Sequence, residues 1–260
     1  MATTVAVHSF RGGTGKSNIT ANLAVTVARQ GRRVAIVDTD IQSPGVHVLF
    51  GFDEDHIERS LNDYLWGQCA IEDAAYDVTA NLKAADGSPA IRDGALFLVP
   101  SSIRAGEIAR VLREGYDVEL LSDGFQRLID RLELDYLFID THPGLNEETL
   151  LSMTLAEQLV LILRPDRQDY QGTAVTVEVA RKLDVPRMLL VVNKALPSFD
   201  FADLRAQVEQ AYGTPVAGIL PLNDDVARLA SSDIFSLRSP DHPWSREIRQ
   251  IAAQLVAADV

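Results

Sequence analysis

The chain has 260 residues, enough for one large domain with a sizeable core, and its 47% hydrophobic and 23% charged content is that of a soluble globular protein. A net charge of −13 opposes general attraction to nucleic acid or anionic lipid. The single cysteine, Cys69, excludes an internal disulfide and a zinc or iron–sulfur site built from CxxC pairs within one chain. No apolar run reaches the ~20 residues of a membrane span, and Met1-Ala2-Thr3-Thr4 lacks the charged start of a leader, so a cytoplasmic location is the expectation.

Thr3–Ser9 reads as a buried strand, followed by a helix over Asn18–Gln30 that Gly31 stops. Arg33–Asp38 is a second strand. A helix is expected near Ser60–Trp66, and Gly87-Ser88-Pro89 marks a surface turn; the rest of 51–93 carries little pattern. Leu96–Val99 reads as a strand, then helices over Arg104–Glu114 and Val118–Leu132. Strand Tyr136–Asp140 precedes a helix capped near Asn146. Leu159–Leu163 and Met188–Val192 are continuous apolar strands flanking a helix around Thr173–Leu183. Helix Phe201–Tyr212, strand Val216–Leu220 and a helix near Trp244–Ala257 finish the chain. Continuous apolar strands alternating with helices predict an α/β fold: a mostly parallel twisted sheet with helices on both faces, a three-layer sandwich formed by one domain over 1–260.

Between the first strand and the first helix lies Phe10-Arg11-Gly12-Gly13-Thr14-Gly15-Lys16-Ser17-Asn18. Glycines there let backbone N–H groups converge on a phosphate at the positive end of a helix. Lys16 is placed to reach the β- and γ-phosphates and Ser17 to ligate Mg²⁺, the P-loop arrangement for ATP. Strand 34–38 ends in Asp38-Thr39-Asp40, two carboxylates on the ligand edge of an open α/β sheet. Leu137-Phe138-Ile139-Asp140 is an apolar strand ending in one Asp, suited to holding Mg²⁺. Strand 189–192 runs into Asn193-Lys194, an amide and an aliphatic stem suited to a purine ring.

The loop resembles the deviant Walker A motif of the ParA/MinD family of ATPases, Lys-Gly-Gly-x-Gly-Lys-Ser/Thr, with Arg11 in place of the family's first Lys. The resemblance runs from the first strand to the last helix. It implies that Arg11 reaches toward the phosphates of a dimer partner, that Asp40 orients or deprotonates the attacking water, and that Asp38 supports the metal shell. It further implies that Asp140, Ser17 and Asp40 surround the metal, and that Asn193 reads adenine while the loop from Pro221 closes over the base. Thr141-His142-Pro143-Gly144 stands at the family's second switch, where His142 departs from the pattern. Leu196 occupies the place of the guanine-reading Asp of related GTPases, which favours ATP.

The function implied is an ATP-hydrolysing switch that dimerises with ATP and Mg²⁺, answers to a stimulating partner and positions a cargo. The alternatives are a nucleotide-binding scaffold of the same fold with little turnover, and an ATP-dependent small-molecule enzyme. The stretch Ile251–Val260 has no basic face, so membrane binding through it is not expected. Arg228, Arg238, Arg246 and Arg249, and a second set at Arg110, Arg113, Arg127 and Arg131, are candidates for non-specific DNA contact, but acids lie among both sets.

Overall fold

The computed structural model describes residues 2–257; Met1 and 258–260, and with them the last part of the tail, lie outside the described residues. The chain runs β1 (Thr3–His8), α1 (Lys16–Ala28), β2 (Arg33–Asp38), α2 (Leu61–Leu65), β3 (Tyr76–Asp77), β4 (Ala95–Val99), α3 (Ala105–Glu114), α4 (Glu119–Leu132) and β5 (Tyr136–Asp140). It continues with α5 (Glu147–Leu155), β6 (Gln158–Leu163), α6 (Arg167–Lys182), β7 (Arg187–Ala195), α7 (Phe201–Tyr212), β8 (Val216–Pro221), α8 (Asp224–Leu229), α9 (Phe235–Arg238) and α10 (Pro243–Val256).

The strands form one eight-stranded sheet in the order β3-β4-β2-β5-β1-β6-β7-β8. All neighbours pair in parallel except the edge strand β3, which runs antiparallel to β4. Alternation along the strands splits the core into two layers. Val5, Val7, Val34, Ile36, Phe138, Val160 and Val191 pack with α1 and α10. Their neighbours Ala35, Val37, Leu137 and Ile139 pack with α4, and Leu159, Leu161, Leu190 and Val192 pack with α5, α6 and α7. Both faces of the sheet are therefore covered, the reason its strands are apolar throughout.

Two departures from the sequence reading have local causes. Helix α1 begins at Lys16, two residues early, because Gly15 at φ 92° turns the chain directly into its first turn. Helix α6 begins at Arg167, six residues early, capped by Asp166, whose side chain accepts from the N–H groups of Gln168 and Asp169. In 51–93 the expected helix is α2, opened by Ser60, whose N–H and hydroxyl both donate to Asp63 Oδ2 at 2.8 Å, and the turn at Gly87 is present with φ 82°. The two-residue β3 and the short helices α8 and α9 leave too little periodicity to be read in advance.

Candidate nucleotide site

The strand order places β5 between β1 and β2, so the segments that follow all three open at neighbouring points on one edge of the sheet. Register aligns Asp38 with Asp140 and Val7 with Asp140. Sequence spacing alone does not reveal this, and it brings the phosphate loop and two carboxylates within side-chain reach.

Lys16 Nζ lies 2.9 Å from Asp140 Oδ1, with side chains 7% and 0% exposed. Thr20, one turn further along α1, donates its hydroxyl to the same oxygen at 2.9 Å. Asp140 Oδ2 is buried with no hydrogen-bond partner among the described residues. Such an unpartnered carboxylate oxygen is costly unless something fills the site, and a cation beside it would do so. Ser17 follows Lys16 in the first turn of α1, half-buried. Among the described residues no group of three or more His, Cys, Asp or Glu side chains is arranged to hold a metal unaided. The donors therefore fit Mg²⁺ bound jointly by Ser17, Asp140 and phosphate oxygens, the usual way this ion is held.

Asp38 is held by the backbone of the loop that follows it. Its Oδ1 accepts from Asp40 N at 3.0 Å, and its Oδ2 from Gly45 N at 3.1 Å and Val46 N at 3.4 Å. With both oxygens engaged by backbone, Asp38 shapes the loop that carries Asp40. Complete burial, reinforced by Asp140 alongside, pushes its carboxyl up to about 8. Burial also raises the Asp40 carboxyl, with Lys16 and then His142 pulling the other way. Asp40 Oδ1 accepts from Ser43 N at 3.2 Å.

The loop leans on β7. Asn193 Nδ2 donates to Thr14 O at 2.7 Å, and Lys194 Nζ donates to Gly13 O at 2.7 Å. A Cβ on Gly15 would meet Asn193 Nδ2 at 2.5 Å, so both the φ of this residue and the close approach require glycine. Gly12 and Gly13 are exposed at the crest, and Thr14 is buried beneath. Asn193 and Lys194 thus brace the phosphate loop as well as lining the adjoining cleft. That cleft, about 300 Å³, lies between Gly15 and Asn18 on one side and Pro221, Val226 and Trp244 on the other. Its size and mixed lining suit a nucleoside. Trp244 and Val226 carry no motif in the sequence; only the fold assembles them here.

Arg11 points away from this cleft and donates from Nη1 to Gln168 Oε1 on α6. The ring of Phe10 lies against Gly172 one turn further along the same helix. His8, also unmarked in sequence, ends β1 fully buried. Thr141 Oγ1 donates to Val7 O at 3.1 Å, so its 2.7 Å contact with His8 Nδ1 is a donation from the imidazole. Burial, with Lys16 and His142 adding to it, lowers the His8 pKa to about 3, so the ring is neutral.

A sheet of this order with a glycine loop, a lysine and paired carboxylates at its edge defines a P-loop nucleotide-binding protein. Residues 5–237 match the profile of the CobQ/CobB/MinD/ParA nucleotide-binding domain, and the chain belongs to that family. It is 27% identical over 259 residues to an uncharacterized ATP-binding protein of Methanocaldococcus jannaschii, covering 99% of this chain and 89% of the other. It is 26% identical to the iron–sulfur cluster carrier protein of Saccharolobus solfataricus, covering 97% of this chain and 82% of that one. The septum site-determining protein MinD of Pyrococcus horikoshii, solved with Mg-ADP, superposes with a TM-score of 0.79 at 19% identity over 100% of this chain and 98% of that one. The α/β fold expected from the sequence is thereby that of the MinD and ParA ATPases.

Proposed function

We propose that this chain is an ATP-hydrolysing switch: ATP with Mg²⁺ closes a homodimer, and hydrolysis, speeded by a partner protein, opens it. The observation that carries the reading is the meeting of Lys16, Asp140 and Asp40 beneath the glycine loop, on one edge of the sheet. Mg²⁺ supplies charge neutralisation at the terminal phosphates when bound. Lys16 exchanges its bond with Asp140 for phosphate oxygens. Asp140 and Ser17 would hold the cation, while Asp40, on the loop set by Asp38, would face the water side of the phosphate. The loop amides at Gly13 to Lys16 hold the phosphates in place.

Arg11, held by Gln168 on the outer side of the loop, is directed away from its own cleft, which suits a contact with the phosphates of a second copy. The output in this reading is the positioning of a cargo. DNA is not included. Of the eight candidate arginines, five stand beside acids: Arg228 pairs with Asp225, Arg238 with Asp233, Arg110 with Glu114, and Arg127 and Arg131 with Glu72. Among the described residues no helix is long and apolar enough to cross a membrane. Cluster carriage, the task named for the Saccharolobus relative, is not included either, because the one cysteine, Cys69, is half-buried in a separate part of the fold.

Phosphate release from ATP, measured with Mg²⁺ for the native chain and Lys16→Ala, tests turnover. The native chain is expected to release phosphate slowly and the variant not at all. A native chain without release would favour the scaffold reading.

A further inference from the structure

His142 follows Thr141 at the foot of the loop leading to α5 and is not assigned by anything above. Its Nδ1 lies 2.6 Å from Pro143 O. A carbonyl oxygen only accepts, so Nδ1 carries a proton, and in that tautomer Nε2 is an acceptor. That nitrogen faces Asp40 Oδ1 at 3.8 Å, with side chains 24% and 10% exposed. The separation is too long for a hydrogen bond, and a closed ion pair would contract to roughly 2.8 Å. Two acceptors are thus held apart across a partly open gap.

Both acceptors are fixed from behind. The His142 carbonyl accepts from Thr149 Oγ1 at 3.2 Å, tying it to α5. Asp40 is anchored through Ser43 N to its Oδ1 and through its own N–H to Asp38. A gap of this width between two acceptors matches a molecule that donates two hydrogen bonds from one atom, which is water.

We propose that His142 Nε2 and Asp40 Oδ1 together orient the water that attacks the terminal phosphate of ATP. The inference rests on the turnover reading above. With each water hydrogen directed at one acceptor, the oxygen lone pairs face the phosphate. The water oxygen bonds to phosphorus as the bond to the β-phosphate oxygen breaks with its electron pair, and both hydrogens leave with the released phosphate.

The contrast between two amides tests this. In His142→Asn the side-chain amide takes the place of Nδ1 and keeps the Pro143 contact but has nothing at Nε2. In His142→Gln the longer side chain returns an acceptor near the Nε2 position. Turnover, ATP affinity from a fluorescent analogue and melting temperature are measured for both variants and the native chain. The Asn variant is expected to lose about tenfold or more in kcat, the scale set by misplacing a reactant by about an ångström. Its ATP affinity and melting temperature should stay close to native, and the Gln variant should recover most of the rate. Native kcat in the Asn variant, equal losses in both variants, or a loss that tracks ATP affinity or melting temperature overturns the assignment. A native chain with no turnover removes the switch reading itself and this inference with it, an outcome distinct from an active native chain with an equally active Asn variant.

Discussion

Lys16 and Asp140 neutralise one another in a buried contact of 2.9 Å, so the residue proposed to grip phosphate is bonded to the carboxylate proposed to hold the cation. Phosphate must take Lys16 from Asp140, and a cation must replace it. Without Mg²⁺, Asp140→Asn is therefore expected to bind ATP about tenfold more tightly than the native chain, the worth of one charge-assisted hydrogen bond. In millimolar Mg²⁺ the order should reverse. Titration calorimetry in EDTA and in Mg²⁺ reads both, and an unchanged affinity in EDTA would show that the ion pair does not compete with phosphate.

Gly15 combines a left-handed φ of 92° with a neighbour 2.5 Å from where a Cβ would stand. Gly15→Ala is expected to weaken ATP binding by about tenfold to a hundredfold, in line with the 1–3 kcal/mol of a strained non-glycine residue. Strand packing should persist, so far-UV circular dichroism should stay native while affinity falls. Native affinity in this variant would mean that the loop tolerates displacement from Asn193.

Phe10 and Gly172 pack so closely that any side chain at 172 would meet the ring. Gly172→Ala should destabilise the chain by about 1–3 kcal/mol, as overpacking does. Pairing it with Phe10→Ala should relieve part of that cost, a coupling that denaturant unfolding of both single variants and the double variant would measure. Strict additivity would show that the ring moves aside.

His8 is expected to remain neutral well below the ordinary histidine range. An imidazole held near 3 in the fold and near 6.5 in the unfolded chain favours folding above about 6.5, a contribution lost as pH falls toward 3. A proton NMR titration of its ring should show no midpoint between pH 8 and 5. A midpoint near 6.5 would contradict the burial that holds the ring neutral.

Most of the site was legible because its chemistry is local. The Gly13-Thr14-Gly15-Lys16 run, the Asp38/Asp40 pair and the strand ending at Asp140 each announce themselves within a few residues. Their meeting was not legible, since it depends on β5 lying between β1 and β2. The backbone partners of Asp38 were not legible for a similar reason: a carboxylate looks equally ready for a metal or for backbone N–H groups until Gly45 and Val46 fold back onto it. His8, Gln168 and Trp244 carry no local signal, because each acts through residues more than a hundred positions away or across the sheet. The early start of α6 could have been read from Asp166, an N-cap residue type directly after Pro165.

In the proposed switch, nucleotide state sets the association state through Asp40 and the loop around it. Light scattering on Asp40→Ala, which should bind ATP without hydrolysing it, tests this most directly. The expected result is a dimer mass with ATP and Mg²⁺ and a monomer mass with ADP. A monomer with both nucleotides, at concentrations where ATP binding is saturated, would contradict the account.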